Sequence, residues 1–408
     1  MKKERNKDNI RQVNTAMVLN TLRRNNCQMS RPDLAEQVGL SKVTIASIIR
    51  TLNNLGLTND AGLGRPDHRG GRKPLLVTLD TENKRIVSLR LSSDGAEMLL
   101  SDITGRELSR LRSGYGGDPN PDRKPAASPR PDELAAMVRR LAAEGGASLD
   151  SITGLVITGE GLGPSEDNVF DYPDGDWPAS DQAPEVQNES TAWAAELGRL
   201  LKMPVSPVRL AAARAFGEHW YNDEIDQQSD FFYLDLDLDL EAVVFRDGLP
   251  GDVLPGFGAV CLSHPPYGSE NFPVETAQSV LSGTAFLKQA SESQGRPVTF
   301  SELSNQATKG DESALSLFEN YGYQLGCALA LAVNLSSLRK IVIGGFMTRA
   351  WSHFSPALRL GLDRHLHQRY RGLVTVTPLR DDLEDGLMGS LALALDKWIY
   401  HTSLLSRD

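Results

Sequence analysis

Two helical runs joined by a tight glycine turn, a basic glycine-rich hairpin behind them, and alternating apolar strands and helices from residue 85 to 400 predict an α/β protein headed by a winged helix-turn-helix. At 408 residues the chain exceeds what a single core usually supports, so two or three domains are expected. No apolar stretch approaches the roughly 20 residues needed to span a bilayer, and the start MKKERNKDNIRQ is charged with no apolar run behind it. A cytoplasmic protein without a membrane partner is the expectation. Cys27, Cys261 and Cys327 are far apart, suit a reducing compartment and are too few for a four-cysteine zinc site.

Residues 9–25 gather most of Ile10, Val13, Met17, Val18, Leu19 and Leu22 on one helical face, which predicts a first helix. Ser30 is placed to cap a short second helix with Leu34 and Val38 inward and Gly39 as its stop. Ser41 then caps KVTIASIIRTLNNLG, where Val43, Ile45, Ile48, Ile49 and Leu52 are expected to face the core and Gly56 to end the helix. Lys42, Thr44, Ser47 and Arg50 must then face outward. In a helix-turn-helix the start of the second helix of the pair meets base edges, and serine hydroxyls and basic side chains also bond phosphate, so Ser30, Arg31 and Ser41 join them as candidate DNA contacts.

A short strand at 57–60, a tip and an apolar strand at 75–79 make the expected wing. Arg65, His68, Arg69, Arg72 and Lys73 crowd the tip beside Gly62, Gly64, Gly70 and Gly71, which let the backbone approach a phosphate or enter a minor groove. Charge agrees with this placement. Residues 1–85 hold sixteen Lys/Arg against eight Asp/Glu, a balance of +8 that leaves −18 for the remainder of a chain whose total is −10. A polyphosphate duplex attracts such a head and repels such a body.

The helix-turn-helix ending in LGL, followed by GGRKP before an apolar strand, resembles the repressors of the ROK (repressor, open reading frame, kinase) family. The likeness continues in KRIVSLRLSSDGAEMLLSDITGREL with its aspartate-x-x-glycine turn, in ITGLVITGEGLGPSED, DYPDGDW and PVRLAAARAFGEHW, and in RKIVIGGFM and EDGLMGSLALAL. It implies a two-lobed, actin-like (sugar-kinase-like) body. The expected division is a winged helix-turn-helix at 1–83, a first lobe at 84–200 with the C-terminal helix 384–402 packed back on it, and a second lobe at 201–383 carrying a dimerisation surface. Residues 312–336 should form a long helix, and Gly344-Gly345 should end a buried strand as a ligand-facing loop. The segment 113–131, rich in Pro, Gly and charge, is expected as a surface insertion.

The kinase members of that family need glycine loops for phosphate and an aspartate to accept the sugar hydroxyl proton. Here LRLSSDG lacks the early glycine, and YLDLDLDLEAVV has no Gly-x-Gly turn. Asp235, Asp237 and Asp239 alternate with leucines, so a strand there should present three carboxylates on one solvated face. Arg209-Leu210 stands where the family carries Asn-Asp, and leucine cannot act as a base. Val260 takes the place of a family glutamate, and YGSENFPVETAQS keeps Gly268, Glu275 and Ser279 but none of the zinc-binding cysteines, so no structural zinc, metal or cofactor is expected.

Family position puts Glu160, Asp176, Trp177, Arg209, His264 and Glu275 near a cleft between the lobes, where a sugar would bind; Arg209 in place of Asn-Asp suggests a sugar acid or sugar phosphate. The expectation is a non-enzymatic regulator that binds double-stranded operator DNA as a homodimer or dimer of dimers. Two alternatives stay open: a constitutive DNA-binding protein whose body only oligomerises, and an active sugar kinase with an added head.

Overall fold

The computed structural model describes residues 2–63, 75–92, 95–113, 130–159, 189–221, 230–246, 249–253, 257–260, 262, 275–383 and 386–400. Helix α1 (Lys2–Arg24) leads into strand β1 (Gln28–Ser30), helices α2 (Arg31–Val38) and α3 (Lys42–Asn54), and strands β2 (Thr58–Leu63) and β3 (Leu75–Leu79). Helix α1 starts seven residues earlier than the apolar periodicity marks, because Lys, Arg and Glu favour helix without contributing to that periodicity. The Ser30 side chain accepts from Asp33 N, Pro32 occupies the first turn, and Gly39 closes α2 at φ 72°, the left-handed region that glycine enters freely. Ser41 caps α3 by accepting from Thr44 N. Strand β3 is the centre of an antiparallel sheet ordered β1-β3-β2, so the wing hairpin gains a third strand that periodicity could not show in three residues.

Leu19, Leu22, Leu34, Ile45, Ile49, Leu52 and Val77 are fully buried in the head's core. Val43 is not among them. Expected to face inward, it is 80% exposed, because at about 100° per residue it stands opposite Ile45 and Leu52 and in line with Ser47 and Arg50. Val13 and Met17, expected on the buried face of α1, are exposed as well.

The connection to the body is short. Asp80 N donates to Leu57 O, and the Asp80 carboxylate accepts from the backbone of Glu82 and Asn83 before the next strand starts at Arg85. Burial alone would raise the Asp80 carboxyl, but those hydrogen bonds hold it below its ordinary value.

The first lobe runs through β4 (Arg85–Ser92), β5 (Gly95–Asp102), β6 (Glu107–Ser113), α4 (Pro131–Glu144), β7 (Ile152–Gly159), α5 (Glu189–Leu201), β8 (Val205–Arg209) and α6 (Leu210–Tyr221). The second runs through β9 (Phe231–Leu236), β10 (Leu240–Arg246), β11 (Leu249–Val253), α7 (Ala277–Leu281), α8 (Gly283–Gln294), α9 (Phe300–Thr308), α10 (Glu312–Ser336), β12 (Lys340–Gly344), α11 (Trp351–His365) and β13 (Thr375–Pro378). Their sheets are ordered β6-β5-β4-β7-β8 and β11-β10-β9-β12-β13. Each is an antiparallel three-strand meander whose first strand is joined on its far side by two parallel strands, so the lobes repeat one topology. This is the α/β, two-lobed body that the sequence predicts. The expected lobe boundary at 200 is too early: β8 pairs with β7 from Leu155↔Val205 to Gly159↔Arg209, so the first lobe continues into α6.

Helix α12 (Leu387–Leu395) and a π-helical turn at Asp396–Tyr400 lie against α6, β4 and β7. Ser88 Oγ donates to Leu387 O at 2.8 Å, and Tyr400 OH donates to Ile103 O at 2.8 Å. The α6–α12 crossing is close enough that a Cβ on Gly389 would land on the Ala213 carbonyl, with no flexible side chain to yield. Gly389→Ala should therefore cost about 3 kcal/mol by overpacking, read as a lowered urea midpoint with unchanged slope; a midpoint equal to the parent's would show that the crossing relaxes freely.

Candidate nucleic-acid interface and inter-lobe site

Lys42, Ser47 and Arg50 are exposed on α3, as the expected reading face requires, and Thr44 is half-buried. The Ser41 and Thr44 hydroxyls lie 2.8 Å apart, and Ser41 also accepts from Thr44 N at 3.1 Å, which fixes the helix entry. Ser30 departs from its expected role: it is buried, donates to Asp33 Oδ2 at 2.6 Å and caps α2, so its hydroxyl serves the fold. Arg31 pairs with Asp60 on β2 at 2.8 Å, tying α2 to the wing strand. Arg65, Arg69, Arg72 and Lys73 lie outside the described residues, as does His68. The sequence reading missed Arg11, whose guanidinium donates to Thr51 Oγ1 at 3.0 Å and pins α1 against α3. Polar pairs between separate helices leave no periodic signal.

The head is docked on the first lobe through a half-buried cation. The Arg23 guanidinium carbon sits 3.8 Å from the centroid of the Trp220 ring and 5.7 Å from that of Tyr400. Trp220 meets Tyr400 edge to face at 5.5 Å and stacks on Phe216 at 5.8 Å. The ring faces attract the cation, and exclusion of water strengthens that attraction. His219 lies beside this box, stacked on Phe245 at 5.3 Å. Burial pushes His219 down to about 4; Asp396 opposes that shift, while Arg23 and Arg24 add to it.

The other half of α6 faces the second lobe. Arg209, just before it, pairs with Glu241 of β10 at 2.5 Å. One turn on, Arg214 is buried and its Nη1 lies 2.9 Å from both carboxylate oxygens of Asp235 and 2.6 Å from Asp237. Tyr233 OH donates to Asp235 at 3.0 Å, and Phe346 N donates to Asp237 at 3.1 Å. Burial would raise the Asp237 carboxyl, but Arg214 and the Phe346 amide hold it below the usual carboxylate range.

The expected solvated face of three carboxylates is thus overturned. Strand β9 ends at Leu236, and the chain bends through 237–239, turning Asp237 back toward the same guanidinium as Asp235. Asp239 goes elsewhere and accepts from Gln278 Nε2 at 2.8 Å. The expected ligand-facing role of Gly344-Gly345 also fails, because a Cβ on Gly344 would strike the Tyr233 hydroxyl and one on Gly345 the backbone of Leu236. The glycines allow close packing under the aspartates.

Of the six candidate effector residues, Arg209 is half-buried in its pair with Glu241, and Glu275 is exposed with its carbonyl accepting from Leu262 N at 2.8 Å. Glu160, Asp176, Trp177 and His264 lie outside the described residues. Among the described residues no three His, Cys, Asp or Glu side chains stand together as a metal site, and no helix is long and apolar enough to cross a membrane.

Residues 276–397 match the profile of the ROK family. The chain is 22% identical over 404 residues to the DNA-binding transcriptional dual regulator NagC of Escherichia coli, covering 95% of this chain and 93% of that protein. A local match to the xylose repressor of Staphylococcus xylosus is 32% identical over 75 residues, 18% of this chain and 20% of that protein's length. Among solved structures, a ROK family transcriptional regulator, homologue of the E. coli MLC protein, superposes with TM-score 0.71 at 19% identity over 97% of this chain and 99% of that one. A ROK hexokinase from Thermus thermophilus reaches TM-score 0.54 at 21% identity over 76% of this chain and 98% of that one. The fold is therefore shared by a regulator over nearly the whole length and by a kinase over the body.

Removing the cation from the inter-lobe network should be costly. Arg214→Met should lower stability by about 3–5 kcal/mol in urea unfolding, because two carboxylates are left buried without their partner, and adding Asp235→Asn and Asp237→Asn should recover most of the loss. Additive losses would rule out the coupling. The His219 shift sets a second expectation. Its folded value is depressed, so the neutral ring's contribution is complete above pH 6.5 and disappears as pH falls toward 4, amounting to about 3 kcal/mol at most. Melting curves from pH 7 to 4 should show a steeper decline for the parent than for His219→Gln; parallel curves would contradict it.

Proposed function

We propose that this protein is a sugar-responsive, DNA-binding transcriptional repressor without catalytic activity, governing carbohydrate uptake or catabolism genes and acting as a homodimer or dimer of dimers on a pseudo-palindromic operator. The observation that carries the reading is the outward stripe of Lys42, Ser47 and Arg50 on a capped second helix, in a chain whose residues 1–85 carry +8 and the remainder −18. Relatives named as repressors support it. Arg31, Ser41 and Thr44 flank the stripe, and Arg65, Arg69, Arg72 and Lys73 would serve the wing.

The effector would occupy the cleft between the lobes, with Glu160, Asp176, Trp177, Arg209, His264 and Glu275 as candidate contacts. A neutral sugar is favoured over an acid, since Glu241 already neutralises Arg209 and an anion would have to displace it. Closure would act on α6, about 18 Å long, which meets the second lobe through Arg214 and His219 and the head through Trp220 near its end. An effector can shift the head only by binding one arrangement of that helix better than the other. The kinase reading lacks its base, because Leu210 stands at the position that the family resemblance assigns to the proton-accepting aspartate, and the Arg214 network fills the region of the missing glycine turn.

The test is binding by the full chain to duplexes selected from a random pool. Lys42→Ala and Arg50→Ala should each weaken a selected duplex by about tenfold or more without changing the melting temperature, and each should reduce the salt slope if its contact is to phosphate. A pentose, hexose and amino-sugar panel should contain a ligand that both raises the melting temperature and lowers DNA affinity. Failure to select any sequence would sink the repressor reading; ATP turnover on any of those sugars would establish the kinase instead.

A further inference from the structure

The recognition helix carries an apolar side chain where its neighbours are polar. Val43 is the second residue of α3 and is 80% exposed, more than Val13 or Met17 of α1. It contributes nothing to the core formed by Ile45, Ile48, Ile49 and Leu52. At about 100° per residue it falls within about 40° of Ser47 and Arg50, at the middle of the outward stripe and at the end of the helix that enters a groove first. Lys42 beside it and Arg50 two turns on are exposed cations. Phosphates drawn to those cations would press the valine against base edges and strip its water.

We infer that Val43 reads the 5-methyl group of a thymine in the major groove. Valine has no donor or acceptor, so it cannot choose among the hydrogen-bonding patterns that distinguish guanine, cytosine and adenine. Thymine alone presents an apolar group on that edge, and contact between the two buries methyl surface on both sides. An A·T pair should therefore be specified at one position of each half-site by a contact without hydrogen bonds. This rests on α3 being the recognition helix.

The experiment uses the full-length chain and its selected duplex, with each thymine of one half-site replaced in turn by deoxyuridine, which removes the methyl and leaves pairing intact. Fluorescence anisotropy at fixed salt should find a position where the replacement weakens the parent by about three- to tenfold. Val43→Ser should be indifferent to that replacement while melting at the parent's temperature, since the side chain is exposed. Lys42→Ala should weaken all duplexes alike and keep the deoxyuridine effect. The inference is overturned if no thymine is sensitive, or if Val43→Ser retains the sensitivity. A preferred sequence without a sensitive thymine removes only the valine contact, whereas no preferred sequence at all removes the repressor reading with it.

Discussion

Helix α6 is held by two cations, buried Arg214 near its middle against Asp235 and Asp237 of the second lobe, and half-buried Arg23 of the head against Trp220 near its end. Arg214 would not be tolerated without its carboxylates, because an isolated charge in a dry interior costs several kcal/mol. Leu210 through Trp220 are all buried, so the helix has no free face along which to slide. Close-packed interiors do not deform continuously. A displacement of α6 would have to repack α12 through the Gly389–Ala213 contact or carry the head with it, which is why the geometry of the cleft and that of the head are one problem in this fold.

The same network closes the start of the second lobe around internal charges. The bend at 237–239 is closed by the Phe346 amide binding Asp237, which also feels the charges of Arg214 and Arg90. That amide would otherwise be available to an anion at the end of β12. In this chain an internal aspartate holds it, and Gly344-Gly345 are packed beneath. The Phe346 amide and the Arg214 guanidinium are both satisfied by internal aspartates, which ties α6 to the second lobe.

Much of this was legible in the sequence. Ser41 and the Ile45, Ile48, Ile49 and Leu52 spacing mark α3 because capping and a 3.6-residue period are local properties. The two-lobed α/β body follows from alternating strands and helices once the family resemblance supplies the order, while the repeat of one sheet topology in both lobes is seen only in the structure. The failures share a cause. Val43 was assigned inward because apolarity was taken as burial, though a side chain opposite Leu52 has no core to enter. Asp237 was placed on a straight strand, and only the bend after Leu236 shows it converging on Arg214, twenty-three residues earlier. Arg23 over Trp220 and Tyr400 joins positions nearly two hundred residues apart or more, where charge and period carry no information about contact. Ser30 was counted twice, as cap and as DNA contact, and a buried hydroxyl already donating to Asp33 serves only the first.

The charge asymmetry acquires its meaning from the docking. A head of +8 on a flexible tether could approach a duplex in any orientation, with the acidic body drifting to wherever repulsion is least. Here the tether is five residues clamped by Asp80, and the Arg23 box fixes the head on α6 and the C-terminal turn. The reading face of α3 is then aimed by the body. In a two-fold dimer the separation of two such faces would be set by the body's own interface, and half-sites must match it to within a fraction of a helical turn. On the proposed function, a small rotation between the lobes carried through α6 would spoil that match without unfolding the head or removing its basic charge.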